Sequence, residues 1–239
     1  MIQKRGNSEL HSTSGGKYLK SWIYGGLDGV VTTFAVVAGV VGAGLSSSII
    51  LIMGFANLFA DGISMAVGDY LSTKSQGEYY KTEKTFEEFK ARKNPKEEKF
   101  EMESLLVKKG FDRQDANKIS FLISKNKRYQ AETMLHDELG ISVENSNPTK
   151  NALATFGSFL LFGMIPLIIF VVGVVFDITI NNSFFWASVL SGVSIFLLGV
   201  FKSKVTKKNW FKSGLSTLLI GGTAAVAAYF VGEILSKIV

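Results

Sequence analysis

Five apolar blocks, near residues 22–44, 48–72, 150–175, 183–201 and 213–236, limit what this chain can fold into. Each is close to the roughly 20 residues that an α-helix needs to cross a bilayer core of about 30 Å. The alternative, five buried helices of a soluble protein, would require all five blocks to find one core. The N-terminus, Met1 to Lys20, is polar and lacks the apolar run of a cleaved signal peptide. The sequence therefore predicts an all-α integral membrane protein with five transmembrane helices and a polar helical insert. The boundaries are an N-terminal tail (1–20), transmembrane helices 1–2 (21–73), a three-helix insert (74–147) and transmembrane helices 3–5 (148–239).

The net charge of +6 is placed in a way that argues against nucleic acid as a partner. Lys4, Arg5, Lys17 and Lys20 precede the first span, the insert is rich in lysine, and Lys202, Lys204, Lys207, Lys208 and Lys212 fill the link between spans four and five. Gly44–Ser48 carries no charge, and the link near Asp177–Ser183 has no Lys or Arg. With five spans, every basic segment except the C-terminal tail with Lys237 falls on one side, which the positive-inside rule makes cytoplasmic. The N-terminus and the insert are thus expected in the cytoplasm, in a bacterial inner membrane or an organelle membrane. The absence of cysteine excludes disulfides and thiolate metal sites, and with only His11 and His136 a zinc enzyme is not expected. Any metal must be held by oxygen, with methionine as the soft donor. Mn2+ and Fe2+ suit that ligand set better than Cu+.

Span one carries the small-residue pairs Gly25/Gly29, Ala35/Gly39 and Ala38/Gly42, which permit close helix approach, within the chain or between copies. Thr32 and Thr33 can bond back to helix carbonyls or line a polar path. Span two shows no breaker where the membrane should end, so one helix of about 70 Å is expected from about Ser48 to Lys93, stopped by Asn94-Pro95. Pro95 to Lys109, with Phe100, Leu105 and Leu106, reads as a short amphipathic helix closed by Gly110. Asp112 then caps a helix running to about Leu139, with Ile119, Phe121, Leu122, Ile123, Tyr129 and Leu135 as its apolar residues. Such an insert is small and is expected to pack on itself or on a second copy. Pro166 implies a kink in span three, and Glu233 is expected at an interface.

Carboxylates inside apolar runs carry the chemistry. Asp61, Met65 and Asp69 are spaced i, i+4, i+8, with Asn57 one turn earlier on the same stripe, and Asp28 sits in span one. Such groups cost several kcal/mol in hydrocarbon and mark ion or proton pathways. Asp28 is six residues inside its span, roughly 9–10 Å deep at 1.5 Å per residue. Met65 is expected at a similar depth, Asp61 one turn deeper and Asp69 near the cytoplasmic mouth. Desolvated carboxylates bind metal or protons alternately, the minimum for exchanging one against the other. The insert adds Glu83, Glu87, Glu88, Glu97, Glu98, Glu101 and Glu103. Their i, i+3 and i, i+4 pairs fit either a cation site or an ordinary solvated helix, because lysines are interleaved.

The run Gly26-Leu27-Asp28-Gly29-Val30-Val31-Thr32-Thr33-Phe34-Ala35, with Gly62-Ile63-Ser64-Met65-Ala66-Val67-Gly68-Asp69-Tyr70-Leu71-Ser72, resembles the vacuolar iron transporter family. The likeness extends to Glu138-Leu139-Gly140 and to the five-span layout. It implies a dimer that moves Fe2+ or Mn2+ out of the cytoplasm in exchange for protons, with the path between the first spans and no tightly bound cofactor. It assigns Asp28 and Met65 to the path, and Asp69 stands where many members have glutamate. It makes Glu98, Glu101, Met134 and Glu138 metal ligands of the insert, with Glu87 as their partner from the preceding helix. Asn57 stands where the family has a glutamate, while Asp61 appears one turn later; Leu135 replaces a methionine.

The reading that follows is a homodimeric divalent-metal transporter with a metal-binding cytoplasmic insert, working on metal ions and protons in a lipid bilayer. Its path residues are Asp28, Asn57, Asp61, Met65 and Asp69; its metal ligands are Asp28, Asp61, Met65, Glu87, Glu98, Glu101, Met134 and Glu138. An intramembrane acid–base or metal-dependent enzyme is the first rival, but the chain lacks a Ser–His or Cys–His pair in support. A membrane-anchored metal sensor or adaptor is the second, and it leaves Asp28 and Asp61 unexplained.

Overall fold

The structure is a computed structural model that describes residues 18–141, 147–178 and 180–238. The tail with Lys4, Arg5, His11 and Lys17, and the end of the insert, lie outside the described residues. Among the described residues all regular structure is helical: α1 (Leu19–Gly42), α2 (Ser47–Lys93), α3 (Pro95–Lys108), α4 (Arg113–Ser124), α5 (Lys127–Asp137), α6 (Pro148–Gly163), α7 (Ile165–Val175), α8 (Ser183–Thr206) and α9 (Trp210–Leu235). Helices α1, α2, α8 and α9 are long and apolar enough to cross a membrane. The pair α6 and α7, bent by 52°, makes a fifth span if the two are taken together. The bend follows from Pro166 in the first turn of α7, which supplies no N–H to the turn before it.

The chain divides into two compact units, one of residues 1–71 with 146–239 and one of residues 72–145. In the first, α1 packs against α6 and α9 along most of its length and touches α7 and α8. Its glycines make this possible. A Cβ on Gly25 would stand 2.5 Å from both the Thr155 carbonyl oxygen and the Ser158 hydroxyl, and one on Gly29 would overlap the Phe159 carbonyl. Further along, Gly42 meets the Tyr229 carbonyl and Gly232 of α9 meets the Gly39 carbonyl. The small-residue pairs therefore serve packing within the chain. Around them Val37, Val40, Ile50, Leu167, Phe170 and Ala187 form the apolar cluster of this unit.

In the second unit Met102, Leu106, Ala116 and Met134 form a small core with Leu105, Ile119 and Ile123 at its edge. Two expectations need correction. The helix from Asp112 to Leu139 is two helices, because Asn126 starts α5 by accepting a hydrogen bond from the Tyr129 N–H at 3.1 Å. The apolar face also differs: Phe100, Phe121, Leu122 and Tyr129 are exposed, and Met102, Ala116, Ala131 and Met134 are buried instead. Asp112 caps α4 as expected, accepting from Gln114 and Asp115 N–H at 2.7 and 2.9 Å. Asn147 and Asn209 cap α6 and α9 in the same way. Glu233 lies at the surface with Lys237 at 2.8 Å.

Close packing at Gly29 yields a stability prediction. Gly29→Ala should lower the thermal midpoint of the detergent-purified protein, by the equivalent of about 1–3 kcal/mol for an overpacked contact. Gly157→Ala, where nothing stands within 4 Å, should leave it unchanged or raise it. Equal midpoints for wild type and Gly29→Ala would show that the α1–α6 contact yields freely.

Candidate functional site

Helix α2 presents Asn57, Asp61, Met65 and Asp69 as a half-buried stripe bordering its buried positions Gly54, Leu58 and Gly62. The opposite face, with Ile52, Phe59, Ile63 and Val67, is exposed. Asp28 is half-buried on α1, between the glycines that hold α6, and its carboxylate lies within range of the Asp61 charge. The carbonyl of Asp28 accepts from the Thr32 hydroxyl at 2.8 Å, so the back-bond expected of Thr32 is made. Thr33 is fully buried and its hydroxyl has no partner, nor does the side-chain N–H2 of Asn57. Asp69 accepts a hydrogen bond at 2.5 Å from Thr155 of α6. The stripe Asn151, Thr155 and Ser158, spaced i, i+4, i+7 in an otherwise apolar helix, is a signal that the carboxylate pattern overshadowed.

The second unit sorts its acidic residues sharply. Glu87 and Glu98 are buried, each 3% exposed, and each keeps one carboxylate oxygen without a partner. The other Glu87 oxygen accepts from Lys90 at 2.8 Å. Burial pushes the Glu98 carboxyl up from its ordinary 4.5 to about 7, reinforced by the charges of Glu101, Glu87 and Glu138 and opposed by Lys90. The Lys90 ammonium is in turn pushed up, chiefly by its hydrogen bond to Glu87. Carboxylates from α2, α3 and the end of α5 thus share one neighbourhood. Met134 is buried in the adjoining core, with Met102 beside it. Gln130, one turn before Met134, is buried with its side-chain N–H2 unpartnered. Lys90, Met102 and Gln130 were not singled out by sequence; Gln130 was legible as the first member of the stripe 130, 134, 138.

The remaining acids are solvated or satisfied. Glu97 accepts from Asn94 at 3.1 Å and Glu103 from Asn117 at 2.7 Å. Glu88 faces Arg92 at 3.9 Å. Among the described residues no group of three or more His, Asp or Glu is drawn together tightly enough to hold a metal ion. His136 is exposed beside Asp137, which also pairs with Lys109.

The chain matches the sequence profile of the VIT family over residues 19–233. It is 37% identical to a vacuolar iron transporter of Toxoplasma gondii, over 98% of this chain and 79% of that protein. A vacuolar iron transporter of Plasmodium falciparum is 36% identical over 92% of this chain and 82% of its own length. Vacuolar iron transporter 1 of Arabidopsis thaliana is 28% identical over 95% and 90%. The match spans both the helices that carry Asp28 and Asp61 and the unit that carries Glu87 and Glu98. The chain belongs to the VIT family, and it is a transporter, not an enzyme.

Proposed function

We propose that this protein carries Fe2+, and Mn2+ of similar ligand preference, out of the cytoplasm in exchange for protons, working as a homodimer. The observation that carries the reading is a half-buried carboxylate, Asp28, within range of the Asp61 charge, each on an apolar helix. Two like charges held there repel each other unless a proton or a cation lies between them. A carboxylate must be deprotonated to hold a divalent ion, so loading of metal releases protons and arrival of protons releases metal. Asn57, Met65 and Asp69 extend the same stripe, and the thioether adds the soft donor that borderline Fe2+ tolerates. Iron is also the cargo named for the relatives from Toxoplasma and Plasmodium.

In this reading the insert gathers metal on the cytoplasmic side. Glu87, Glu98, Glu101 and Glu138 supply oxygen, Met134 supplies sulfur, and the unpartnered oxygens of Glu87 and Glu98 are acceptors without a donor. A cation drawn in would close the carboxylates around itself and displace the proton from the fraction of Glu98, about half at pH 7, that still holds one. The large exposed apolar residues of the insert, Phe100, Phe121 and Leu122 among them, support a second copy as cover.

The membrane path is tested by Fe2+ uptake into proteoliposomes of purified protein. Asp28→Ala, Met65→Ala and Asp61→Asn should each lower flux by at least the cost of losing an outer-shell partner, about 10–100-fold. Asn57→Ala should be mild. Normal flux with Asp61→Asn would remove the stripe from the mechanism.

The insert is tested by calorimetry of the full-length protein with Mn2+. Glu98→Gln with Glu101→Gln should weaken binding about tenfold or more, yet leave flux at saturating metal. Binding should tighten as pH rises through about 7, because the Glu98 proton must leave. The same raised value gives a stability signature in the metal-free protein. Stability gained by neutral Glu98 is complete below about pH 4.5 and is lost as pH rises through about 7. The thermal midpoint should therefore fall between about pH 5 and 8, and Glu98→Gln should flatten that fall. A pH-independent midpoint in the wild type would place Glu98 in a solvated setting.

A further inference from the structure

We infer that Thr155 is a positioning residue for transport: its hydroxyl fixes the Asp69 carboxylate that lines the path. The inference rests on the proposal that Asp69 belongs to that path. Thr155 is fully buried, and its hydroxyl donates to one oxygen of Asp69 at 2.5 Å across 86 residues of sequence. The hydroxyls of Thr32, Ser188, Ser191 and Thr217 in the other spans each return to a carbonyl four residues back in their own helix. That is the default for a hydroxyl in an apolar helix, since it satisfies the donor locally. Thr155 departs from it and spends its donor on a carboxylate of another helix.

The surroundings leave Thr155 little freedom. Its carbonyl oxygen accepts from Ser158 at 3.0 Å, and Gly25 brings α1 so near that a Cβ there would meet that same carbonyl at 2.5 Å. A β-branched residue in a helix has few χ1 choices, so a pinned backbone also pins the hydroxyl. A hydrogen bond to an ionised carboxylate is short and about twice as strong as a neutral one. With that oxygen fixed, Asp69 keeps a set orientation on the stripe two turns beyond Asp61. A cation moving along the stripe then meets a carboxylate already aimed, and does not have to order it.

The test is a double-mutant cycle read by Fe2+ uptake into proteoliposomes. Thr155→Val should raise KM for Fe2+ about tenfold, the usual worth of a hydrogen bond to a charged group, with the maximal rate within about twofold. Thr155→Ser should restore KM to within about twofold. In an Asp69→Asn background, Thr155→Val should have no further effect, because a residue acting through Asp69 has nothing left to position. If Thr155→Val does not fold, Thr155→Cys, a weak donor of similar size, should give a KM between those of wild type and Asp69→Asn. An unchanged KM for Thr155→Val or Thr155→Cys, or an equal loss from Thr155→Val in both backgrounds, overturns the inference in favour of plain helix packing. Normal uptake by Asp69→Asn would overturn the path reading of Asp69 and this inference together, whereas a deficient Asp69→Asn with a normal Thr155→Val overturns this inference alone.

Discussion

The unit that carries the apolar spans depends on how closely α1 approaches its neighbours. Apolar helices in hydrocarbon gain little from burying apolar surface against each other, since lipid is as apolar as leucine. What remains is dispersion at short range and a few polar contacts, and both require small residues at the crossing. Gly25 and Gly29 provide that for α6, and Gly39, Gly42 and Gly232 provide it for α9. Asp28 lies inside the same turn as Gly25 and Gly29. The geometry that lets α6 in therefore also sets where the Asp28 carboxylate stands, so packing and site share one short segment.

The carboxylates of the insert divide by whether they have partners. Several with some exposure are matched: Glu132 by Lys84 and Arg128, Asp137 by Lys109, Glu103 by Asn117. The buried ones are not fully matched. Glu87 has Lys90 on one oxygen and nothing on the other, and one oxygen of Glu98 is likewise empty. Buried acceptors left open are uncommon in a folded protein because each costs desolvation with no return. Burial pushes the Glu98 carboxyl up to about 7, so near neutral pH it is divided between its neutral and charged forms and the cost of the open acceptor is lessened. Such a group changes charge with a small change in surroundings, which a fully paired surface glutamate does not.

Much of this was readable from the chain. The five apolar blocks, the unbroken helix through Gly77 to Lys93, the stop at Asn94-Pro95, the cap at Asp112 and the bend near Pro166 are local, and each follows from backbone chemistry within a few residues. The stripe of Asn57, Asp61, Met65 and Asp69 was legible for the same reason, since helical periodicity alone puts them on one face. The break at Asn126 was missed because a polar residue in a solvated helix reads much like any other until its side chain is seen on the Tyr129 N–H. Phe121 and Leu122 belong to the apolar pattern of their helix but stay exposed; a small unit buries few residues, and Met102, Leu106, Ala116 and Met134 fill its core.

By itself, then, the sequence determined which segments are helices, which of them are apolar enough for a membrane, and which residues share a face. Tertiary structure decided which faces meet. It brought the Asp61 charge within range of Asp28, gave Asp69 a donor from Thr155, and chose Glu87 and Glu98 from a run of similar glutamates to be buried. The physical reason is the range of the interactions. Helix formation and capping act over four residues or fewer, whereas the pairing of helices depends on steric fit between glycine hollows and carbonyls far apart in the chain, which no local pattern encodes.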